Sequence, residues 1–175
     1  VEIAACVPIP FGTADDCLFE FGHLQPGETV LVQAGAGGVG IAAIQLAKRA
    51  GATVLATAGS DEKLQRLAAL GLDHGINYRT QDFADVARTL TDGRGVDLVV
   101  ESVGTTIADS MRSLAYRGRI SYVGDAGRDI QPVDISSLKG GNQSITGVFL
   151  GAELFGHGPR AYDNIARLID LVAAG

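Results

Sequence analysis

Residues 29–51 read TVLVQAGAGGVGIAAIQLAKRAG. Thr29 to Gln33 is a short apolar run rich in β-branched residues, the composition of a buried strand. Gly35, Ala36, Gly37, Gly38, Val39 and Gly40 follow. Ile41 to Ala50 then repeats apolar residues at helical spacing, with Lys48 and Arg49 in the last turn and Gly51 as the stop. A G-x-G-x-x-G run between a strand and a helix is the setting in which a glycine turn cradles a pyrophosphate. Gly35 is expected to allow the tight turn and Gly37 the close approach of the anion. Gly40 would let the helix pack on the strand. The free N–H groups and partial positive charge of the helix N-terminus complete such a site. No lysine follows the last glycine as in a P-loop, which disfavours nucleotide hydrolysis. A methyltransferase-like site, which also uses a glycine-rich turn, stays open at this point.

Outward from this stretch, strands and helices alternate. Thr53 to Thr57 reads as a second strand and Asp61 to Leu70 as a helix, with Ser60 as N-cap and Gly71 as C-cap. Gly75 to Tyr78 is a third strand and Phe83 to Leu90 a helix. Val96 to Val100 is a fourth strand, Thr106 to Ala115 a helix, Arg119 to Val123 a fifth strand. Asp125 to Asp134 is a polar loop, Gln143 to Leu150 a sixth strand, and Arg160 to Ala174 an amphipathic helix. This rhythm predicts βαβ units on a parallel sheet with right-handed crossovers. The expected architecture is α/β: a doubly wound, three-layered Rossmann fold with six strands in the order 3-2-1-4-5-6, binding its ligand at the strands' carboxyl ends. Residues 1–175 form one such domain, with a lead-in helix over about 12–21.

Composition bounds the function. The net charge is −6, which argues against nucleic acid or an anionic membrane as partner. Two cysteines, Cys6 and Cys17, make neither a disulfide framework nor a tetrahedral zinc site. His23, His74 and His157 lie far apart without metal-ligand spacing and read as loop or surface residues. No metal is expected. No apolar run reaches the ~18 residues of a membrane span and no signal peptide is visible, so the expected location is cytoplasmic. The chain begins at Val1 rather than Met, as a fragment would.

The end of the second strand speaks to cofactor choice. A site preferring NAD carries an acidic residue there, and here the position falls on Ala58. A missing carboxylate removes repulsion against a 2′-phosphate. Ser60 can offer a hydroxyl and Lys63 a charge, each also explicable as a helix cap and a solvated lysine. Tyr78 can pack on the adenosine or simply end a strand. Asp61 and Glu62 could instead reach the ribose. The balance favours NADP(H).

The run QPGETVLVQAGAGGVGIAAIQLAKRAGATVLATAGSDEKL, with LGLDHGINYRTQDF, TDGRGVDLVVESVG and GRISYVGDAG, resembles the cofactor domain of the medium-chain dehydrogenase/reductase superfamily. The branch it is most similar to is that of the zinc-independent, zeta-crystallin-like quinone oxidoreductases. PIPFGTADDCL resembles that family's approach to the domain. The resemblance implies that Gly37, Gly38, Val39 and Gly40 hold the pyrophosphate, and that Ser60, Lys63 and Tyr78 surround the 2′-phosphate. It implies that Ser102, Val103 and Gly104 face the ribose beside the nicotinamide, with Val123 and Gly124 near its ring. Phe149 and Leu150 would approach the carboxamide, and Thr13 would lie near the nicotinamide.

The resemblance further implies hydride transfer from NADPH to a quinone or enone, without zinc. The family's catalytic domain is missing from this stretch, so the isolated chain is expected to be inactive and no catalytic side chain is assigned. A dinucleotide-binding module without catalysis, and an enoyl-reductase domain of a larger synthase, are the rival readings. The sixth strand carries Ile145, Val148, Phe149 and Leu150 with no lysine or proline to blunt its edge. A homodimer through that strand is expected, as the resemblance also implies, with Val148 in the seam.

Overall fold

The computed structural model describes residues 7–156 and 159–174; Cys6 and His157 lie outside them. Six strands form one parallel sheet: β1 (Thr29–Val32), β2 (Thr53–Ala58), β3 (His74–Asn77), β4 (Val96–Glu101), β5 (Leu114–Tyr122) and β6 (Ser144–Gly147). Their order is β3-β2-β1-β4-β5-β6, the doubly wound order expected. Seven α-helices accompany them among the described residues: α1 (Pro8–Asp15), α2 (Gly38–Arg49), α3 (Asp61–Ala68), α4 (Phe83–Leu90), α5 (Ile107–Ser113), α6 (Leu150–Gly156) and α7 (Arg160–Ala174).

Side chains alternate across the sheet and feed two cores. Val30 and Val32 join Ala14, Leu18, Ile44 and Leu168 in one. Leu31 enters the other, with Leu55, Ile76, Phe83, Val99 and Ile120. Helices α1, α2 and α7 thus cover one face and α4 and α5 the other. Both faces being buried, the strands read as continuous apolar runs rather than alternating ones.

Three boundaries differ from the sequence reading. The lead-in helix starts at Pro8, not near Gly12, and passes into a π-helical turn over Asp16–Glu20. Pro8 and Pro10 look like breakers, but the first turn of a helix has no use for their missing N–H groups. β5 begins at Leu114, and its register with β4 shifts between Val96 and Leu98. Leu114 and Ala115 read as helical because an apolar pair carries no period of its own. Finally, β6 stops at Gly147. Val148 makes one further bond to β5 through its N–H to the Tyr122 carbonyl (2.8 Å), and Leu150 opens α6.

Candidate functional site: a dinucleotide cradle

The turn after β1 is built as a cradle. Ala34, not Gly35, takes the left-handed conformation, with φ of 50°. Gly35 is required for a different reason: a Cβ there would lie 2.8 Å from Ala56 Cβ, on the neighbouring strand. The Gly35 N–H donates to the Thr57 carbonyl (2.8 Å), locking the turn onto β2. A Cβ on Gly40 would stand 2.5 Å from the Ala34 carbonyl oxygen and 2.7 Å from Gly35 Cα, so only glycine lets α2 rest on the turn. Gly37 sits at the N-cap in extended backbone and has no side chain to cap the helix. The first bond within α2 is from the Ile41 N–H to the Gly37 carbonyl. The amides of Gly38, Val39 and Gly40 therefore precede the helical ladder and are free for an anion.

Strand order divides the remaining candidates. Ser60, Lys63 and Tyr78 follow β2 and β3, on one side of β1; Ser102, Val103, Gly104, Val123 and Gly124 follow β4 and β5, on the other. An extended ligand crossing the glycine turn meets both groups. On the first side, Ser60 Oγ accepts from the Lys63 N–H at 3.4 Å, so the serine caps α3 and keeps its own O–H to donate. A Cβ on Gly59 would lie 2.8 Å from Tyr78 Oη and 3.4 Å from Arg79 Nε. Tyr78 and Arg79 thus lean together over Gly59, next to Ser60. Arg79 escaped the sequence reading, since nothing in a strand-end Tyr-Arg pair says which way the guanidinium turns.

On the second side, Ser102 Oγ donates to the Gln33 carbonyl (3.3 Å). Gly124 faces Ser102, whose carbonyl would be 3.5 Å from an added Cβ. Gly104 is left-handed, with φ of 82°, and an added Cβ would collide with Ile130 Cδ1. Beneath this loop the Glu101 carboxylate is fully buried. It accepts from the N–H groups of Val103 (2.8 Å) and Gly104 (3.1 Å), from Thr106 Oγ1 (2.9 Å) and from Ser110 Oγ (2.6 Å). Gln33 links Ser110 to Thr57, whose hydroxyl oxygen in turn accepts from the Ala34 N–H. One buried network ties the β4 loop to the glycine turn. The sequence reading missed Glu101; an acidic residue ending an apolar strand is the signal that marks it.

Between the two sides lies a cavity of about 650 Å³ bordered by Ala34, Thr57, Tyr78, Phe83, Val103 and Thr106. Its lining combines apolar Ala34, Phe83 and Val103 with the hydroxyls of Thr57, Thr105 and Thr106, a mixture that suits a flat heterocycle. Two carboxylates of its lining, Asp82 and Asp109, are held by Arg112 at 2.7 and 3.1 Å. The Asp85 amide and the Arg112 guanidinium keep the Asp82 carboxyl below its ordinary range.

The last three candidates separate. Thr13 is buried in α1, three residues beyond Pro10, whose ring lies 3.6 Å from the position of a Cβ on Gly38. Phe149 is 74% exposed. Leu150 is buried against Gly12, where an added Cβ would be 3.1 Å from Leu150 Cδ2. Neither ends β6 as expected, and Leu150 serves helix packing.

The zinc-binding dehydrogenase family matches residues 38–172. The chain belongs to that family. Within its superfamily, the medium-chain dehydrogenases/reductases, it falls with the quinone oxidoreductase-like branch. It is 39% identical over 153 residues to quinone oxidoreductase-like protein 2 of Rattus norvegicus, an alignment covering 86% of this chain and 44% of that protein. The chain spans less than half the length of the curated relatives it matches. Among solved structures, it is similar to the quinone oxidoreductase of Thermus thermophilus, studied also as its NADPH complex. There the identity is 33% and the TM-score 0.82, with 94% of this chain and 51% of that one covered. It is also similar to the nucleotide-binding subdomain of an enoylreductase domain from Mycobacterium tuberculosis. That match has 35% identity and a TM-score of 0.83, covering 97% of this chain and 95% of that one. The family's name speaks of zinc, yet the described residues hold no group of three or more His, Cys, Asp or Glu that could bind a metal ion. Among the described residues, the donors do not fit zinc. No helix among the described residues is long and apolar enough to cross a membrane.

Proposed function

We propose that this chain is the NADPH-binding part of an oxidoreductase that reduces a quinone or an enone without zinc. The carrying observation is the uncapped N-terminus of α2 behind a glycine turn, with Ser60, Lys63, Tyr78 and Arg79 gathered on one side of it and no acid at Ala58. The amides of residues 38–40 would hold the pyrophosphate, and the basic group the 2′-phosphate. The loop of Ser102, Val103 and Gly104, with Val123 and Gly124, would seat the nicotinamide end beside the buried Thr13. Bound there, NADPH would supply a hydride. The part of the chain's own residues is to orient the ring and keep water off one of its faces. The acceptor's pocket would come from the remainder of the protein.

Calorimetric titration of the chain with NADPH and with NADH tests this. Tight NADPH binding with weaker NADH binding supports it; binding of neither overturns it. Lys63→Ala should weaken NADPH by about 1–3 kcal/mol and spare NADH.

The near-complete overlap with an enoylreductase subdomain favours one second reading, an enoyl reductase within a larger synthase. Turnover of the full-length protein on a quinone against an enoyl thioester separates the two. A dinucleotide-binding module without catalysis would turn over neither.

The homodimer is proposed through β6. Among the described residues its edge is open, with Ser144 and Gly147 exposed. Val148 cannot probe the seam, since it is buried in the chain's own core. Thr146→Lys, which would face its copy across a two-fold axis, should give a monomer by light scattering. An unchanged dimer would put the seam elsewhere.

A further inference from the structure

Asp61 and Glu62 stand where a carboxylate would repel a 2′-phosphate or claim the ribose hydroxyls. Both residues are exposed, yet each carboxylate has a partner. Glu62 Oε1 accepts from Arg66 at 2.7 Å. Asp61 Oδ1 accepts from Asn77 Nδ2 at 2.8 Å. Asn77 ends β3 and is 9% exposed, so its amide is a fixed anchor rather than a surface contact. Its other atom is also in use: Oδ1 accepts from the Arg79 N–H at 3.2 Å. Its backbone N–H donates to Gln81 Oε1, and its carbonyl accepts from the Thr80 hydroxyl. One buried side chain therefore draws the Asp61 carboxylate down toward the sheet and sets the turn that carries Tyr78 and Arg79. On the solvent side Lys63 and Arg79 are both exposed, and among the described residues neither makes an ion pair.

We propose that Asn77 is a specificity-determining positioning residue. By holding the Asp61 carboxylate on the β3 side, it leaves the basic groups of the rim formed by Ser60, Lys63, Tyr78 and Arg79 to the ligand, and so selects a dinucleotide carrying a 2′-phosphate over one with a free ribose hydroxyl. This rests on the dinucleotide reading above. Without the anchor, the carboxylate swings up beside the cations. There it repels the phosphate and accepts from ribose hydroxyls. A phosphate monoester near pH 7 carries close to two negative charges, so the penalty falls on NADPH and not on NADH.

The test is calorimetric binding of NADPH and NADH to the chain and three variants, with folding followed by circular dichroism. Asn77→Ala should lower the NADPH-to-NADH preference by about tenfold or more, the size of one lost charge-assisted contact. Adding Asp61→Asn to it should restore the preference, because the offending charge is then gone. Asp61→Asn alone keeps an oxygen acceptor for Asn77 Nδ2 and should leave the preference within about threefold, since Asn77 already holds that side chain aside. An unchanged preference in Asn77→Ala overturns the proposal, as does failure of the double variant to recover. A tenfold rise in Asp61→Asn alone overturns it too, even if Asn77→Ala does not fold. Wild-type chain that binds neither cofactor would sink the dinucleotide reading itself, whereas wild-type preference with insensitive variants sinks only the role of Asn77.

Discussion

The Arg160 guanidinium of α7 donates to Asp16 Oδ1 at 2.8 Å, across 144 positions of sequence. The Asp16 carboxylate is wholly buried in the turn after α1, while Arg160 keeps 33% of its side chain exposed. Arg160 also holds Glu153 of α6 at 2.9 Å, and Arg167 holds Asp15 at 2.6 Å. The two ends of the described chain are thus clamped over the core by charge. Removing one partner of a buried pair strands the other. Arg160→Ala should cost about 3 kcal/mol in urea denaturation, and Asp16→Asn added to it should recover part of the loss. A cost below about 1 kcal/mol would show that water reaches Asp16 readily.

Gly37 and Gly40 should fail in different ways. An alanine Cβ at Gly40 would strike backbone at 2.5 and 2.7 Å, whereas at Gly37 it would meet only the Ala34 carbonyl, at 3.2 Å. Gly40→Ala should therefore cost stability, about 1–3 kcal/mol. Gly37→Val should lose no more than about 1 kcal/mol yet abolish dinucleotide binding. Thermal melts and titrations of both variants check the contrast. Retained affinity in Gly37→Val would remove Gly37 from the cradle.

Asp82 caps α4, its Oδ1 accepting from the N–H groups of Ala84 (2.9 Å) and Asp85 (3.1 Å). Those bonds and Arg112 lower its pKa. A carboxyl lowered on folding stabilises the native state above its unfolded value, about 3.9, and the gain is lost as pH falls through the folded value. Asp82→Ala should cost about 1 kcal/mol at pH 7. The difference from wild type should shrink below about pH 4. Denaturation series at pH 7 and pH 3 measure it; a constant difference would mean that the charge contributes nothing.

Cys17 is fully buried. Burial first, and the Asp16 charge second, push its thiol up to about 12. The thiolate is the reactive form, so Cys17 should resist thiol reagents in the native chain and react on unfolding. Mass spectrometry of the labelled peptides locates the adduct. Rapid native labelling at Cys17 would mean that the π-helical turn opens.

The strand–helix alternation and the glycine turn were legible because they depend on neighbours. A strand's apolar run, a helix's period and a glycine's missing Cβ act within a few residues. For the same reason Ala58 already argued against an acid at the end of β2. The exact part of each glycine was not legible. Gly35 reads as the tight-turn residue, but the left-handed residue is Ala34. Gly35 yields instead to Ala56, which only the pairing of β1 with β2 brings near. The end of β6 was misread because Phe149 and Leu150 are apolar, and composition does not distinguish a strand end from a helix face packed on Gly12.

By itself the sequence determined the layering, the strand order and the place of the cradle, since local propensity and right-handed crossovers leave little other choice. Only the tertiary structure decided which charges face the cleft. Asp61 answers to Asn77, Asp82 and Asp109 to Arg112, and Glu101 to the loop it lies beneath. Whether a carboxylate repels a ligand or stays bound beside a partner depends on contacts between chain segments that meet only once the sheet has formed.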